Sequence, residues 1–383
     1  MKKKIFLSLI LSLLVLVASA FSPVSAVASG EISVNAKAAI LMDADSGTVV
    51  FEKAPTERLQ IASMVKIMTL NLIFEEIEKG NLSYDTLVTA SEHATSMGGS
   101  QAFLDTNCQY KVSELIKSII VASANDSCVA MAEHISGSVP AFVDKMNEKA
   151  SQIGMENTLF VNCTGLPAPN QYSCASDVAK MMKRLISHDG FFDFSKIWTF
   201  DFCHPSGRVT ELANTNKLVR FYEGCDGGKT GFTSEALSCL SATAVRGETR
   251  FICVVIGAPS SKERNAQVSS LFNYGFANFE NKTYYTEGEV ISDSVKVENG
   301  KANVVTGVVS KNLSAFVKKG ENTNFVVNSE FYDLKAPVKR GEVIGEVKII
   351  NGEEIISSAS ILAAESVEKK GYNDILHDIA EKW

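Results

Sequence analysis

The chain has no excess of positive charge, no closely spaced cysteine pair, few histidines and no apolar run of membrane-spanning length. Each absence removes a class of function. The 383 residues carry 37 basic against 44 acidic side chains, a formal charge of −7, so no nucleic-acid partner is expected, because phosphate neutralisation needs a basic surface. The eight cysteines contain no Cys-x-x-Cys pair; that argues against zinc, and they are too sparse for a disulfide scaffold. No metal or cofactor is expected. The five histidines, His93, His134, His188, His204 and His377, read as surface or core residues. With no Gly-x-Ser-x-Gly elbow in the chain, a Ser-His-Asp hydrolase is disfavoured. There is no long repeat and no low-complexity linker. Apolar residues make up 45% and charged residues 21%, ordinary for globular protein, and the length suits two or three domains.

The N-terminus is separate from this body. Met1-Lys2-Lys3-Lys4 precedes an apolar run over 5–17, followed by small-residue sites at Ala18-Ser19-Ala20 and Val24-Ser25-Ala26. The pattern predicts a bacterial secretory signal peptide over 1–26, with a retained anchor as the alternative. Its removal leaves 34 basic and 44 acidic side chains, a charge of −10. The protein is then expected outside the cytoplasmic membrane, where disulfides are permitted. Cys163 and Cys174 flank a loop containing Pro167, Pro169 and Asn170 and form the best candidate pair. Cys128, Cys239 and Cys253 lie in apolar runs and read as core.

The rest of the chain divides by periodicity. Ala38 to Phe51 reads as a hairpin around an Asp/Ser/Gly turn. Apolar spacing predicts a helix from Ser63 to Lys79, stopped by Gly80. Further helices are expected from Ser113, as N-cap, to Ala122; from Asp126 to about His134; from Pro140 to Gly154; from a Ser176-Asp177 cap to near Gly190; and from Ser261 to Phe279. Residues 198–258 read mainly as strands, with a hairpin around Arg246-Gly247-Glu248-Thr249. One antiparallel sheet with helices on its faces is the simplest packing of 30–280. Residues 282–364 carry Val-rich alternation between glycine turns and predict a small all-β sandwich. In 366–383, Tyr372, Ile375, Leu376, Ile379 and Trp383 share one helical face, a possible peripheral membrane anchor; packing on the β domain is the alternative.

Three short motifs carry the chemistry. Ser63-Met64-Val65-Lys66 opens a helix, and residues i and i+3 share a face. A serine becomes a nucleophile when a neighbour takes its proton. A lysine can do so once burial or a second cation has lowered its pKa. Alone the motif is weak, since Ser366 and Lys369 repeat it. Ser123-Ala124-Asn125 interrupts two helices; its hydroxyl could relay a proton and its amide could hold a carbonyl. Ser33-Val34-Asn35 and Ser310-Lys311-Asn312 share that pattern too. Lys229-Thr230-Gly231, after Asp226-Gly227-Gly228, occurs once, on a strand. Lys229 and Thr230 could bind a carboxylate, and Gly231 would let a substrate backbone lie close.

Together, in one order and one domain, the three form the serine–lysine acyl-transfer signature shared by penicillin-binding proteins and class A β-lactamases. The chain resembles the D-alanyl-D-alanine carboxypeptidases, the low-molecular-mass penicillin-binding proteins. The resemblance covers most of the mature chain, including Ile61 to Thr69, Ala122 to Ser127, Gly154 to Phe160 and Asp226 to Thr233. It implies an α/β serine β-lactamase/DD-peptidase-like domain followed by the β domain and the tail. It departs at Asn162-Cys163-Thr164-Gly165-Leu166, where the family commonly has Asn-Pro-His-Gly-Leu; at Gln171, commonly His; and at Phe232, often His.

The resemblance also implies roles. Ser63 would attack the bond between two D-alanines of a peptidoglycan stem peptide, with Lys66 as base and Ser123 passing the proton to the departing D-alanine. Lys229 and Thr230 would hold the terminal carboxylate, Asn125 the peptide carbonyl, and the N–H groups of Ser63 and Phe232 the oxyanion, beside Gly231. β-Lactams would acylate Ser63. A β-lactamase would also need a glutamate to activate water; Glu156 is present, but its neighbours resemble the carboxypeptidase segment. A non-catalytic wall-binding protein on a degenerate peptidase fold is a further alternative, and the intact Ser63, Lys66, Ser123 and Lys229 argue against it.

Overall fold

A computed structural model describes residues 32–321, 324–374 and 376. The segment read as a signal peptide and most of the amphipathic tail lie outside them.

The first hairpin forms as expected. Strands β1 (Ala38–Asp43) and β2 (Val49–Lys53) pair antiparallel. Asp43 shapes the turn by accepting hydrogen bonds from the backbone N–H and hydroxyl of Ser46, each at 2.7 Å. Three later strands, β3 (Cys225–Thr233), β4 (Leu237–Arg246) and β5 (Thr249–Ala258), complete an antiparallel sheet in the order β2-β1-β5-β4-β3. Strands from early and late in this domain thus pair at β1–β5, where every residue of β1 is buried.

Helices fill the sequence between. The longer ones are α1 (Lys66–Glu78), α2 (Val112–Val121), α3 (Asn125–Ser136), α4 (Val139–Gln152), α5 (Ala175–Leu185) and α6 (Ser261–Asn278). Helix α1 follows a 3-10 turn over Ala62–Val65 and is closed by Gly80 at φ +77°. Ser138 caps α4 by accepting from the Ala141 N–H, with Pro140 in the first turn. Ser260 caps α6 by accepting from the Glu263 N–H at 3.1 Å, and its hydroxyl also donates to Glu263 Oε1 at 3.3 Å. Helices α1–α5 and one face of the sheet share one apolar core, while α6 lies against the other face, where Gly275 meets Leu41 and Phe251.

Three local expectations need correction. Helix α2 starts at Val112 with Lys111 as N-cap, one turn position ahead of Ser113; Val112 is fully buried and draws the chain into the helix early. Helix α5 has Cys174 as its N-cap and ends at Leu185, with a separate short helix, Phe191–Ser195, after Gly190. The Cys163–Cys174 disulfide is absent: all eight cysteines are free. The loop between them is instead fastened by hydrogen bonds. Leu59 and Ser173 exchange backbone bonds at 2.7 and 2.9 Å, and Thr69 Oγ1 donates to the Cys163 carbonyl at 2.7 Å. The expectation that Cys128, Cys239 and Cys253 are core residues holds.

From α6 to Ala363 the described residues form strands joined by turns and loops. A six-stranded sheet is built from Val290–Glu298, Val304–Val309, Val326–Phe331, Leu334–Lys335, Val343–Asn351 and Glu354–Ala363. A two-stranded sheet, Phe279–Tyr285 with Leu313–Lys318, packs on it. Val305, Leu313, Ala315, Ile344 and Ile361 join the inner faces in one cluster, the two-layer arrangement expected of a sandwich. This domain meets the first through Phe316, stacked on Phe279 at 5.4 Å and edge-on to Phe251 at 5.9 Å. Asn281 adds a hydrogen bond from Nδ2 to Asp43 Oδ1 at 2.9 Å.

Candidate active site

The fold brings the Ser-x-x-Lys turn, the α2–α3 break and strand β3 to one place. Ser63 sits in the 3-10 turn before α1, half-buried, and Lys66 is the first residue of α1 and fully buried. Lys66 Nζ lies 3.0 Å from Ser63 Oγ. It also donates to Asn125 Oδ1 and to the Thr164 carbonyl, both at 2.6 Å. Asn125 is oriented by its own amide nitrogen, which donates to the Gly98 carbonyl at 2.7 Å.

This geometry suits a neutral amine. Both fixed partners are acceptors, so they consume the two N–H bonds of an uncharged lysine and leave its lone pair facing the Ser63 hydroxyl. Burial holds the Lys66 ammonium below its ordinary range. The thiols of Cys128 and Cys163 stand close by but offset little of that, because burial keeps them protonated, Cys128 being pushed up to about 12.

A second buried lysine lies on β3. Lys229 is lowered well below its usual value, first by burial and next by the charge of Lys66. Its Nζ donates to the Thr230 carbonyl at 3.1 Å. Thr230 Oγ1 donates to Thr215 Oγ1 at 2.8 Å, and Thr215 is tied back to the end of α2 through the Val121 carbonyl at 3.0 Å. Strand β3 presses on the nucleophile turn. A Cβ on Gly231 would stand 2.6 Å from the Ile61 carbonyl oxygen and 3.2 Å from the Ser63 nitrogen. The glycine therefore serves contact between strand and turn, where the sequence suggested contact with a substrate backbone. The Phe232 side chain is exposed.

Ser123 occupies the break between α2 and α3 with φ +65°. A left-handed backbone at a non-glycine residue costs roughly 1–2 kcal/mol. Neighbouring bonds hold it there: Ala124 N–H to the Ser118 carbonyl at 3.2 Å and Asn125 N–H to the Ser100 carbonyl at 2.7 Å. Its hydroxyl is buried and without a hydrogen-bond partner. Such a group is expensive unless a ligand completes it, and strain of this kind gathers at functional sites.

Sequence reasoning missed several supports. The Thr164 carbonyl and Thr215 belong to no motif. Asp126 fixes the segment that follows Gly98 and Gly99 by accepting from the N–H groups of Ala102 and Leu104 at 3.0 and 3.1 Å. A backbone carbonyl has no signature in sequence, and a carboxylate on a helix start reads simply as a favourable first-turn charge. The histidines behave as expected where they are described: His93 pairs with Glu133 and His188 with Glu78, while His204 bonds Tyr110 and Thr210. Glu156 is exposed.

Residues 24–260 match the family described as D-alanyl-D-alanine carboxypeptidase, and residues 279–369 match the penicillin-binding protein 5 C-terminal domain. The chain is 39% identical over 373 residues to D-alanyl-D-alanine carboxypeptidase DacF of Bacillus subtilis, covering 97% of this chain and 96% of that one. It is 34% identical to D-alanyl-D-alanine carboxypeptidase DacA of Haemophilus influenzae, covering 88% and 86%. Among solved structures it is similar to penicillin-binding protein 5 from Haemophilus influenzae, at TM-score 0.70, 33% identity and coverage of 89% and 99%. A peptidoglycan synthesis regulatory factor from Streptococcus pneumoniae superposes at TM-score 0.74, with 26% identity and coverage of 88% and 100%.

Proposed function

The chain belongs to the D-alanyl-D-alanine carboxypeptidase family, and from that premise we propose how its cleft performs the reaction. The enzyme is a serine-type peptidase of peptidoglycan metabolism. Peptidoglycan stem peptides are its substrates and β-lactams its covalent inhibitors. In our reading the terminal D-alanine leaves by way of a Ser63 acyl-enzyme.

The observation that carries this reading is the three-way setting of Lys66 Nζ between Ser63 Oγ, Asn125 Oδ1 and the Thr164 carbonyl. The amine takes the Ser63 proton as Oγ attacks the carbonyl carbon of the penultimate D-alanine. The oxyanion is met by the N–H groups of Ser63 and Phe232, worth about 3–4 kcal/mol per donor. The C–N bond breaks, and the departing D-alanine receives the proton through Ser123, whose partnerless hydroxyl is free to take either role. Water then hydrolyses the ester.

Lys229 and Thr230 hold the terminal carboxylate of the substrate. An incoming carboxylate favours the charged form of Lys229, and that charge in turn disfavours a second ammonium at Lys66. Substrate binding thus keeps the base neutral. Asn125 holds the substrate's peptide carbonyl. The catalytic domain spans 30–280, the β domain 282–364, and the exported protein is either secreted or attached peripherally to the outer face of the cytoplasmic membrane through 366–383. The lysine-led N-terminus and the apolar face of the tail support that placement.

Mass spectrometry of the penicillin adduct tests the reading. One penicilloyl group on the peptide containing Ser63 is expected, and Ser63→Ala should lose at least about 10³-fold of D-alanine release. An adduct elsewhere, or release that survives in Ser63→Ala, overturns it. Steady turnover of a chromogenic cephalosporin instead of a stoichiometric burst would indicate a β-lactamase.

A further inference from the structure

Lys66 is held from two sides, and one of them is built by residues outside the three motifs. Gln171 is buried immediately before two points of backbone pairing, Leu159 with Tyr172 and Leu59 with Ser173. Both ends of its side-chain amide are engaged. Oε1 accepts from the N–H groups of Val161 and Asn162, both at 3.0 Å, and Nε2 donates to the Leu166 carbonyl at 3.3 Å. Asn162 continues the chain of contacts. Its Oδ1 accepts from the Gly165 N–H at 2.7 Å, the Thr164 N–H at 3.1 Å and the Thr164 hydroxyl at 3.2 Å, while Nδ2 donates to the Leu166 carbonyl at 2.9 Å.

The result is a tight turn over 162–165 whose exit is Gly165 at φ +81°. A Cβ there would stand 2.1 Å from the Ala62 carbonyl oxygen and 2.8 Å from the Ser63 nitrogen. The turn is therefore clamped between Gln171 on one side and the nucleophile turn on the other. The Thr164 carbonyl is the acceptor it presents to Lys66.

We propose that Gln171 is a positioning residue for acylation: through Asn162 it fixes the Thr164 carbonyl, which aims the Lys66 amine at Ser63. The proposal rests on the roles given to Ser63 and Lys66 above. The charged and titratable groups facing Lys66 are Asp126 and Cys128 from α3, Cys163 from the 162–166 turn and Lys229 from β3. Gln171 is neutral, so its replacement by alanine adds and removes no charged or titratable group.

Loosening the turn has two effects. The amine loses one of the two acceptors that orient its lone pair, so the plateau rate falls. The ammonium form loses more stabilisation than the amine does, so the acidic limb of the rate profile moves to lower pH. A defect confined to folding produces neither.

The test measures the acylation rate of the full chain by benzylpenicillin across pH, scaled to active sites, for wild type, Gln171→Ala, Asn162→Ala and the double variant. Gln171→Ala should lower the plateau about tenfold and shift the acidic limb down by a measurable fraction of a pH unit. For D-alanine release, kcat should fall with KM within twofold. Asn162→Ala should show the same signature, and the double variant should lose much less than the product of the two. A Gln171→Ala protein with wild-type plateau and limb, changed only in Tm, overturns the proposal. If that variant does not fold, Asn162→Ala decides by the same two readouts. A wild-type protein not acylated at Ser63 would instead sink the underlying reading.

Discussion

Between Val34 and Asn281 the fold buries lysines, carboxylates, amides and hydroxyls; beyond Asn281 no polar or charged side chain among the described residues is buried. The two domains solve the same packing problem at different cost. A buried charge with incomplete partners destabilises a fold, and replacing it with an apolar group of similar size is often neutral or stabilising. The first domain retains Lys66, Lys229 and the unsatisfied Ser123 hydroxyl. The second closes its sheets over valine, leucine and isoleucine. Among the described residues, buried polarity is confined to the domain that carries Ser63 and Lys66 and to Asn281 at its border.

Three substitutions probe that contrast, in falling order of effect on activity. Lys66→Met removes the base, and acylation by penicillin should fall roughly 10²- to 10⁴-fold. The wild-type rate should rise with pH through an amine depressed from its ordinary value of 10.5, because the reactive form is the one without the proton. That limb should vanish in the variant, while Tm stays level or rises. A fall in Tm of many degrees would mean that Lys66 stabilises the fold, and would break the contrast. Lys229→Met should cost the substrate carboxylate its partner, about 1.5–3 kcal/mol in kcat/KM for a D-Ala-D-Ala peptide, again without loss of Tm. In the other domain the signs reverse. Ile361→Ala should cost about 2–5 kcal/mol of stability, measured by denaturant unfolding. Its acylation rate, per folded molecule, should stay within twofold of wild type; a larger drop would show that the β domain shapes the cleft.

What could be read from the sequence follows the same division. Ser63 and Lys66 were legible because a helix start places i and i+3 together, and Lys229-Thr230-Gly231 because it occurs once, entering a strand. The sheet was legible from runs of apolar residues at both ends of the domain, and the β domain from alternation between glycine turns. The third side of Lys66 was not. It is a main-chain oxygen, and its placement depends on Gln171 meeting Asn162 across the eight intervening residues. Gly231 was read as room for substrate because a glycine in a strand does not declare which neighbour comes close. The disulfide expectation failed on the same ground: two cysteines flanking a proline-containing loop say nothing of the hydrogen bonds that already close it.

Those unpaired cysteines carry one more consequence. Six of the eight thiols have been driven by burial away from the ionised form that attacks disulfides, and Cys203 is the one that stands exposed. The fold is thus closed by packing and hydrogen bonding, and it holds no crosslink for a reductant to break.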